Sequence, residues 1–420
     1  MTKRGGTAAD LREPGYGDVW DVASLGTVAE DILDRRGVTP LKLGSDFVPA
    51  GHRVISAKLI KAGRIDLDAD TPRFVDEPTY RKWMRTPLLA DDVVLTSEAP
   101  LGEVAYVGVT NDWVLGQRLF AIRTDKSLLH GRFLYYALRS DAVVHELQSR
   151  ATGTTVQGIR QAELRRVRVP LPPLSEQRRI GGILGALDDK IELNRRMNET
   201  LEATARALFK SWFVDDGSSA DADGAVLSDI ADLTRETVDP RQSPDATFAH
   251  FSLPAFDAGC EPVRETGASI KSVKTLVAPG DVLLSKLNPA IERVWLPDVR
   301  PGDAAICSTE FLVLRPRAPF GRAYVYELVK SEPFRRAMEA LVTGTSNSHQ
   351  RAQAGAVLEI AVPAPDVQLA AAFEKVARPM LDRVAAGLRQ VRTLRSMRDT
   401  LLPTLISGEL RVPVAEVPGA

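Results

Sequence analysis

The chain has 420 residues, of which 26% are charged, and its formal net charge is −1 at pH 7. This composition predicts a soluble globular protein of two or three domains, and the near-neutral charge argues against a uniformly basic nucleic-acid coat protein. Two cysteines in so long a chain exclude a disulfide framework and a cysteine-rich zinc site, and no apolar run is long enough to span a bilayer, so we expect a cytoplasmic protein.

The N-terminal part of the sequence predicts a polar tail followed by one globular domain. Residues 1–17 are glycine-rich without periodicity, which predicts a disordered N-terminal tail. The domain is predicted over residues 18–174 and begins with SLGTVAEDI, which is followed by a basic, turn-rich region. A strand-like stretch follows at 91–108, then a strand at 117–123, an amphipathic helix at 131–140, a polar loop at 150–160 and a strand at 165–173.

The second half repeats this order, after a small, polar linker predicted at residues 217–224. GDVLLSKLNP matches DDVVLTSEAP, and GRAYVYELVKS matches GRFLYYALRS. Over the last part of the repeat, Thr343 and Arg351 each lie 191 residues after Thr152 and Arg160. The sequence therefore predicts a second domain of the same plan at residues 225–365, and each domain is followed by a long helix.

The first long helix is predicted within residues 175–216, with Ser175 as its N-cap. Its apolar residues alternate spacings of four and three for about five heptads, which is the a/d pattern of a coiled coil. A helix from Glu176 to Trp212 would be roughly 55 Å long, too long to be buried as an ordinary core helix. Asn194 and Asn198 interrupt the apolar seam, and such residues fix register and partner choice.

The partner helix is predicted within residues 366–411, before a short tail at 412–420. We expect Pro379 to kink or restart it, and Gly387 occupies the seam position that Asn194 holds in the first helix. The duplication then predicts an α/β (α+β) fold: two globular domains in a pseudo-two-fold arrangement, separated by an antiparallel pair of long coiled-coil helices. The predicted helix-pairing residues are Ile180, Leu184, Leu187, Ile191, Asn194, Asn198, Leu201, Leu208, Met380, Val384, Val391, Leu394 and Leu401.

No pattern in the sequence is typical of an active site. Asn288-Pro289-Ala290-Ile291 is close to the motif of adenine methyltransferases but lacks the second proline and the aromatic residue that would stack a flipped base. The five histidines have no metal-ligand spacing, and no phosphate-binding GxxxxGK[ST] loop occurs. We therefore predict a non-catalytic chain that holds no metal and no cofactor.

Two polar loops and several basic residues are candidates for DNA contact. The loops around Thr152 and Thr343 combine hydroxyls, amides and a cation with a glycine, a set suited to phosphate oxygens and base edges. An ordinary turn capped by hydroxyls is the alternative for each loop, and a solvated face is the alternative for the basic residues. The candidate DNA-binding residues are Lys58, Lys61, Arg64, Arg81, Lys82, Arg85, Gln117, Arg118, Thr154, Thr155, Gln157, Arg160, Lys271, Lys274, Lys286, Asn288, Thr345, Ser346, Asn347, His349 and Arg351.

Four stretches of the sequence carry a family resemblance: LPPLSEQRRI with the following LDDKIELNRRMNETLEATARALFKSWFVD, the C-terminal SMRDTLLPTLISGELRV, and GDVLLSKLNP and CSTEFLVLRP between them. Together they resemble the specificity subunit of type I restriction-modification systems. The resemblance implies that each globular domain is a target recognition domain that reads one half of a bipartite, asymmetric sequence in double-stranded DNA. It also implies that the helices form a spacer and dock two modification subunits.

The same resemblance implies which chemistry belongs to the partners. The modification subunits would carry S-adenosylmethionine and methylate adenine, and two restriction subunits using ATP and magnesium would translocate and cut DNA. This chain would contribute recognition alone. If the helices act as a ruler, a matched insertion of four residues in both helices should lengthen the unread gap between half-sites.

A coiled-coil scaffold whose globular domains bind proteins rather than DNA is the alternative from another functional class. The near-neutral charge is in its favour. Neighbouring genes for a methyltransferase and a helicase-nuclease would favour the restriction reading over this one. A self-sufficient methyltransferase is excluded because the sequence has no cofactor-binding domain.

Overall fold

The computed structural model describes residues 19–215, 224–300, 302–342, 350–363 and 366–413. The chain divides into two compact units. The first unit comprises Met1–Glu192 and Arg392–Ala420, and the second comprises Leu193–Val391. The predicted tail at 1–17 and all of the predicted linker except Gly224 lie outside the described residues. No helix in the described part of the chain is long and apolar enough to cross a membrane.

The first unit is a mixed α/β structure. Its strands and helices are β1 (Asp21–Ser24), α1 (Leu25–Val28), β2 (Ala29–Asp34), β3 (His52–Ile55), β4 (Ile60–Lys61), β5 (Arg64–Ile65), β6 (Phe74–Val75), α2 (Glu77–Trp83), β7 (Val93–Thr96), β8 (Val104–Tyr106), β9 (Val114–Leu115), β10 (Leu119–Thr124), α3 (Gly131–Ala137), α4 (Asp141–Ser149), α5 (Gln161–Leu164), β11 (Arg168–Leu171) and the first part of α6 (Leu174–Phe213). The predicted strands at 117–123 and 165–173 and the predicted helix at 131–140 are therefore confirmed, and the stretch 91–108 contains two strands, β7 and β8.

An antiparallel four-stranded sheet in the order β2-β10-β7-β8 is the centre of the first unit. Val93 and Leu95 pack against the apolar residues of α3 on one face, whereas Val94 packs against a second core with Trp83 and Ile55 on the other. Both faces are buried, which explains why these strands read as continuous apolar runs rather than as alternating ones. The remaining strands form a β1-β11 pair, a three-stranded sheet β6-β3-β9 and a β4-β5 hairpin.

The second unit repeats the frame with different insertions. Its strands and helices are β12 (Ala225–Val226), α7 (Leu227–Ile230), β13 (Ala231–Thr234), β14 (Thr237–Val238), β15 (Thr247–Phe251), α8 (Leu253–Asp257), β16 (Val263–Thr266), β17 (Lys274–Leu276), β18 (Val282–Ser285), β19 (Val294–Trp295), β20 (Ala304–Cys307), β21 (Phe311–Pro316), α9 (Arg322–Lys330), α10 (Glu332–Ala340), α11 (Ala354–Leu358), β22 (Ala361–Val362), the last part of α6 and the first part of α12 (Val367–Ser407). The four-stranded sheet is β13-β21-β18-β19, accompanied by a β12-β22 pair and a five-stranded sheet β14-β17-β20-β15-β16.

This second four-stranded sheet is buried in the same way as the first. Val282 and Leu284 belong to a core that includes Tyr324 of α9, and Leu283 belongs to a separate core that includes Trp295. The alternate residues of one central strand thus supply two cores, as in the first unit. The predicted repetition of the domain plan is visible in these two sheets.

Helix α6 begins at Leu174, one residue before the predicted N-cap Ser175. Gln177 explains the position of this start, because its buried side chain accepts a hydrogen bond from the His130 backbone (2.8 Å) and donates to the carbonyls of Leu128 (3.0 Å) and Pro172 (2.8 Å). One side chain of the LPPLSEQ motif therefore fastens the helix to its domain.

The α6 and α12 helices pair in opposite directions within each unit. In the first unit, Ile180 and Leu184 share a core with Leu405. In the second, the Phe209 and Phe373 rings lie 5.4 Å apart. Residues early in α6 thus meet residues late in α12, and the reverse holds at the other ends, so the predicted antiparallel pairing is confirmed.

The asparagines of the seam are buried as the heptad pattern predicts. Asn194 is 0% exposed and Asn198 is 6% exposed, and neither side-chain amide has a hydrogen-bond partner among the described residues. Gly387 lies against Asn198, where an added Cβ would collide with the side-chain amide. This close approach requires a residue without a side chain.

The predicted restart of the second helix at Pro379 does not occur. α12 is one helix through Pro379, not a restarted one, because buried residues on either side, Ala377 and Leu381, hold it in place by tertiary packing. At the helix ends the predicted Met380 and Leu401 are half-buried beside the buried Leu381 and Leu402, and Leu401 packs against the core that contains Leu402. There the helices pack against domain cores as well as against each other.

Candidate nucleic-acid interface

Three segments of the first unit meet where strand β7 ends, and together they are called the first loop site: residues 97–101, 117–118 and 152–160. Ser97 joins them, because its N–H donates to the Arg118 carbonyl (2.8 Å) and its own carbonyl accepts from the Ile159 N–H (3.0 Å). Thr152 and Gly158 exchange two backbone hydrogen bonds of 2.9 and 3.0 Å, which close the loop between them. The backbone is therefore fixed at the base of the loop.

The predicted residues Thr154, Thr155 and Gln157 lie on this closed loop, and all three are exposed. An open cleft of about 330 Å³ lies beside them, and its lining comprises Ala99, Pro100, Leu101, Gln148, Thr155, Val156 and Gln157. Arg160, also predicted, is exposed at the end of the loop. Hydroxyl, amide and guanidinium groups thus share one surface, which is a set that contacts phosphate oxygens and base edges.

The second unit contains the same arrangement, called the second loop site: residues 286–290, 310 and 350–352. Here Lys286 takes the position of Ser97, since its N–H donates to the Glu310 carbonyl (2.9 Å) and its carbonyl accepts from the Ala352 N–H (3.0 Å). The Asn288 N–H also donates to the Gln350 carbonyl (2.8 Å). Thr345, Ser346, Asn347 and His349, predicted to contact DNA, lie outside the described residues.

In each loop site, the turn that follows the sheet strand (residues 97–101 and 286–290) contains a residue in the left-handed backbone region directly before a proline. Ala99 and Asn288 both have a φ of 50°. Asparagine adopts this conformation more readily than alanine, and strained backbone of this kind often occurs at functional sites. The side-chain oxygen of Asn288 is buried and has no hydrogen-bond partner among the described residues.

Both loop sites include an arginine beside a carboxylate. In the first, the Nε of Arg118 lies 3.0 Å from an oxygen of Glu98. In the second, Arg351 donates through Nε and a terminal nitrogen to the two oxygens of Glu310, each at 3.0 Å. The Glu310 carboxylate raises the pKa of Arg351 above its ordinary value. The predicted cations Arg118 and Arg351 are therefore oriented by acidic residues.

Gln117 has a structural task in the fold. Its side-chain oxygen accepts from the Gly37 N–H (2.9 Å), and its amide donates to the Val38 carbonyl (2.5 Å). Both ends of the amide thus hold the loop that follows β2. The backbone beside Gln117 belongs to the loop site, but the side chain points its polar atoms into the domain.

The basic residues predicted near α2 lie on a different part of the first unit. Three of them have acidic partners: Lys58 with Asp70 (3.5 Å), Arg64 with Asp66 (3.0 Å) and Arg81 with Glu77 (2.5 Å). The others, Lys61, Lys82 and Arg85, are exposed.

The aromatic residues between these cations do not form a stacking surface. Trp83, which lies between the basic residues in the sequence, is 3% exposed and belongs to a core rather than to the surface. Tyr80 stacks on His52, with ring centroids 4.1 Å apart. His52 in turn contacts Glu77 (2.6 Å) and Asp112 (2.8 Å), so its ring lies between two carboxylates and the Tyr80 ring.

Lys274 belongs to the five-stranded sheet of the second unit, and Lys271 lies three residues before it in the chain. Lys271 is exposed before β17, and Lys274 begins that strand and donates to the Ser272 hydroxyl (2.7 Å). Lys286 is half-buried within the second loop site itself. The structure therefore brings Lys286, Asn288 and Arg351 together and leaves the other two lysines apart from them.

Sequence reasoning missed the acidic members of the loop sites, Glu98 and Glu310. Arg351 and Glu310 are 41 residues apart, so no local spacing indicates their pairing. The available signal was the motifs themselves, because Glu98 lies within the repeated segment DDVVLTSEAP and Glu310 lies within CSTEFLVLRP. No cluster of histidine, cysteine or acidic residues within the described residues could hold a metal ion.

Comparison with known proteins agrees with this architecture. Residues 79–203 match the family described as the type I restriction modification DNA specificity domain. The chain is 32% identical over 123 residues to the type I restriction enzyme MjaIX specificity subunit of Methanocaldococcus jannaschii, a match covering 29% of this chain and 28% of that protein. It is 33% identical over 127 residues to the type I restriction enzyme HindI specificity subunit of Haemophilus influenzae, with the same two coverages of 29% and 28%.

The sequence matches are partial, whereas the structural likeness extends over the chain. Each of these two matches spans 28% of the relative's length. The structural alignment with the crystal structure of the type I restriction-modification system S subunit from M. genitalium covers 93% of this chain and 96% of that subunit. Its TM-score is 0.63, and the two sequences are 16% identical. This likeness establishes a shared fold. In sequence, residues 79–203 are thus similar to the type I restriction modification DNA specificity domain, and in fold the chain is similar to an S subunit of such a system.

Proposed function

We propose that the chain is the subunit that gives a type I restriction-modification complex its DNA sequence specificity. In this proposal, residues 18–174 and 225–365 are two target recognition domains, and each reads one part of a bipartite, asymmetric sequence in double-stranded DNA. The chain itself performs no catalysis. Methylation and cleavage, with S-adenosylmethionine, ATP and magnesium, belong to partner subunits.

One observation carries the proposal: the two units have the same loop site. The hydrogen bonds from Ser97 to Arg118 and from Ile159 to Ser97 recur from Lys286 to Glu310 and from Ala352 to Lys286. The recurring feature is backbone geometry, whereas the side chains on it differ between the units. Two domains with the same backbone geometry but different side chains are suited to recognise two different base sequences, because base edges are distinguished by side-chain chemistry.

The charge distribution supports local contact with DNA rather than a general attraction. The net charge of −1 gives no long-range pull on a polyanion. Arg118, Arg160, Lys286 and Arg351 instead supply cations at the loop sites themselves. Binding of this kind depends on a few positioned contacts.

We propose that α6 and α12 dock two modification subunits and, in the full complex, restriction subunits. Five large apolar side chains are exposed on the described parts of these helices: Ile183 (38%), Leu193 (56%), Val367 (50%), Val376 (40%) and Met397 (48%). Exposed apolar surface on otherwise polar helices supports protein docking. A protein scaffold would also use such helices, so the DNA readout has to be tested directly.

The test is methylome sequencing of a strain that expresses this chain with its neighbouring modification subunit. The expected result is methylated adenine within a single bipartite motif that disappears when this chain is deleted. Exchanging residues 18–174 for those of another family member should change one half of the motif and leave the other half unchanged. Methylation that persists without the chain, or a motif unaffected by the exchange, would contradict the proposal.

A further inference from the structure

The arginine–carboxylate pairs of the two loop sites share one feature of their geometry. Arg118 and Glu98 meet through one nitrogen, and Arg351 and Glu310 meet through two. In both pairs the carboxylate engages Nε, the inner nitrogen of the guanidinium. The planar group is thus held from its inner edge.

The two pairs are built from residues that do not correspond. Arg118 and Glu310 occupy the same backbone position, because their carbonyls accept the matched hydrogen bonds of Ser97 and Lys286. This backbone position therefore holds a positive side chain in the first unit and a negative one in the second. The partner of Arg118 is Glu98, which lies in the turn after β7, whereas the partner of Glu310 is Arg351, which follows the polar loop. The units share the pair without sharing the residues that form it.

A contribution to folding stability does not explain why an arginine–carboxylate pair occurs in both units. Arg118 and Arg351 are about half exposed, at 54% and 49% of their side chains. An ion pair so accessible to water contributes only about 0–1 kcal/mol. A role in recognition is the better explanation, because a guanidinium fixed in direction can form two parallel hydrogen bonds to one planar partner.

We propose that Arg118 with Glu98, and Arg351 with Glu310, are specificity-determining pairs that each read a guanine edge in the major groove. The arginine supplies a bidentate contact to O6 and N7, which is the commonest specific contact of this side chain. The carboxylate aims the guanidinium and cancels its charge toward phosphate, so that it contacts a base in preference to the backbone. The inference rests on the proposed function and names the groups that carry it out.

Arginine-to-lysine substitutions test the bidentate contact. R118K and R351K keep the positive charge but lose the planar fork, so discrimination at one guanine should fall roughly 5- to 150-fold, the equivalent of about 1–3 kcal/mol. R118K should relax one half of the target and R351K the other half. Affinity for unrelated DNA should stay unchanged.

Glutamate-to-glutamine substitutions test the carboxylate and change little of the side-chain shape. E98Q and E310Q release a positive charge toward phosphate, so binding to unrelated DNA should tighten and its dependence on salt should steepen by about one phosphate contact. Discrimination at the same base should fall. E332Q is the matched control, since Glu332 pairs with Arg336 on α10, away from the loop sites.

The measurements use the full chain assembled with its modification subunits. The target is first read from methylated adenines in the wild-type strain, and methylation rates are then compared on duplexes with each single base changed. Thermal unfolding and gel filtration establish that each variant folds and assembles.

Two different failures remain distinguishable. A wild-type complex that methylates no defined bipartite sequence would overturn the proposed function. A wild-type complex that reads such a sequence, while all four variants keep its base preferences, would overturn only the assignment of the pairs.

Discussion

The two units share a sheet that is buried on both faces and differ in the sheet beside it. The shared frame is β2-β10-β7-β8 in the first unit and β13-β21-β18-β19 in the second. The neighbouring sheet has the three strands β6-β3-β9 in one unit and the five strands β14-β17-β20-β15-β16 in the other. Strands that supply two cores at once tolerate little change, whereas segments inserted between them can vary in length and pairing.

A second difference lies where the long helices enter the two cores. In the second unit, Phe209, Phe213, Tyr324 and Phe373 form a cluster whose ring centroids lie between 5.0 and 6.4 Å apart. The first unit uses aliphatic residues at the corresponding helix ends, among them Leu405. The same helix pair is thus anchored by aromatic packing at one end and by aliphatic packing at the other.

The largest expected effect comes from removing one aromatic anchor. Phe373→Ala should destabilise the protein by about 3–5 kcal/mol, because Phe373 is 0% exposed and leaves a cavity among the other rings. Leu405→Ala in the first unit should cost about 2–5 kcal/mol. Urea unfolding measures both, and Val376→Ala, on the exposed side of the same helix, is the control. A loss below about 1 kcal/mol for Phe373→Ala would contradict the anchoring role.

A buried acid distinguishes α9 from α3. Glu327 stands where the first unit has Ala137, and burial raises its pKa from 4.5 to about 7. Glu202 and Glu292 act in the same direction, against Lys330 and Arg206. Because the folded state favours the protonated form, the contribution of Glu327 to stability is complete below about pH 4.5 and is lost as pH rises through about 7.

The expected result is that Glu327→Gln removes this part of the pH dependence. Above pH 7 the variant should be more stable than the wild type by on the order of 3 kcal/mol, and at pH 4 the two should be equal. Urea titrations at several pH values measure the difference. Equal stability curves for both proteins between pH 4 and pH 8 would show that Glu327 does not titrate in this way.

Substitution of two glycines on the long helices distinguishes the effect of close packing on stability from the effect of helix propensity. Gly387→Ala in α12 should cost about 1–3 kcal/mol, since the new methyl group collides with Asn198. Gly182→Ala in α6 meets no atom within 4 Å and should stabilise by about 0.5–1 kcal/mol. Thermal unfolding measures both variants. If Gly387→Ala stabilised the protein as Gly182→Ala does, the close contact with Asn198 would be refuted.

The smallest effect concerns one arginine in each loop site. Arg160 is exposed without an ion pair to any described residue, whereas Arg351 is held by Glu310. Arg160→Ala should therefore reduce the slope of log affinity against log salt by about 1, and Arg351→Ala should reduce it by less than half as much. Binding of the assembled complex to unrelated DNA at several salt concentrations gives both slopes. Equal slopes would contradict the difference between the two loop sites.

Local patterns in the sequence predicted the parts of the fold that depend on local periodicity. The apolar seam predicted two long helices and the burial of Asn194 and Asn198, and the repeated motifs predicted two domains of one plan. The LPPLSEQ motif lies within residues 79–203, which match the specificity-domain family. These features follow from residues close together in the chain, where spacing and backbone preference act directly.

The sequence by itself thus determined the helices, the main strands and the repetition of the domain plan. Only the tertiary structure decided that α12 continues through Pro379, that Trp83 is a core residue, and that Gln117 holds a loop. It also decided which acids accompany Arg118 and Arg351. The physical reason is that burial and ion pairing depend on segments far apart in sequence, and their contact exists only after the sheets and helices have packed.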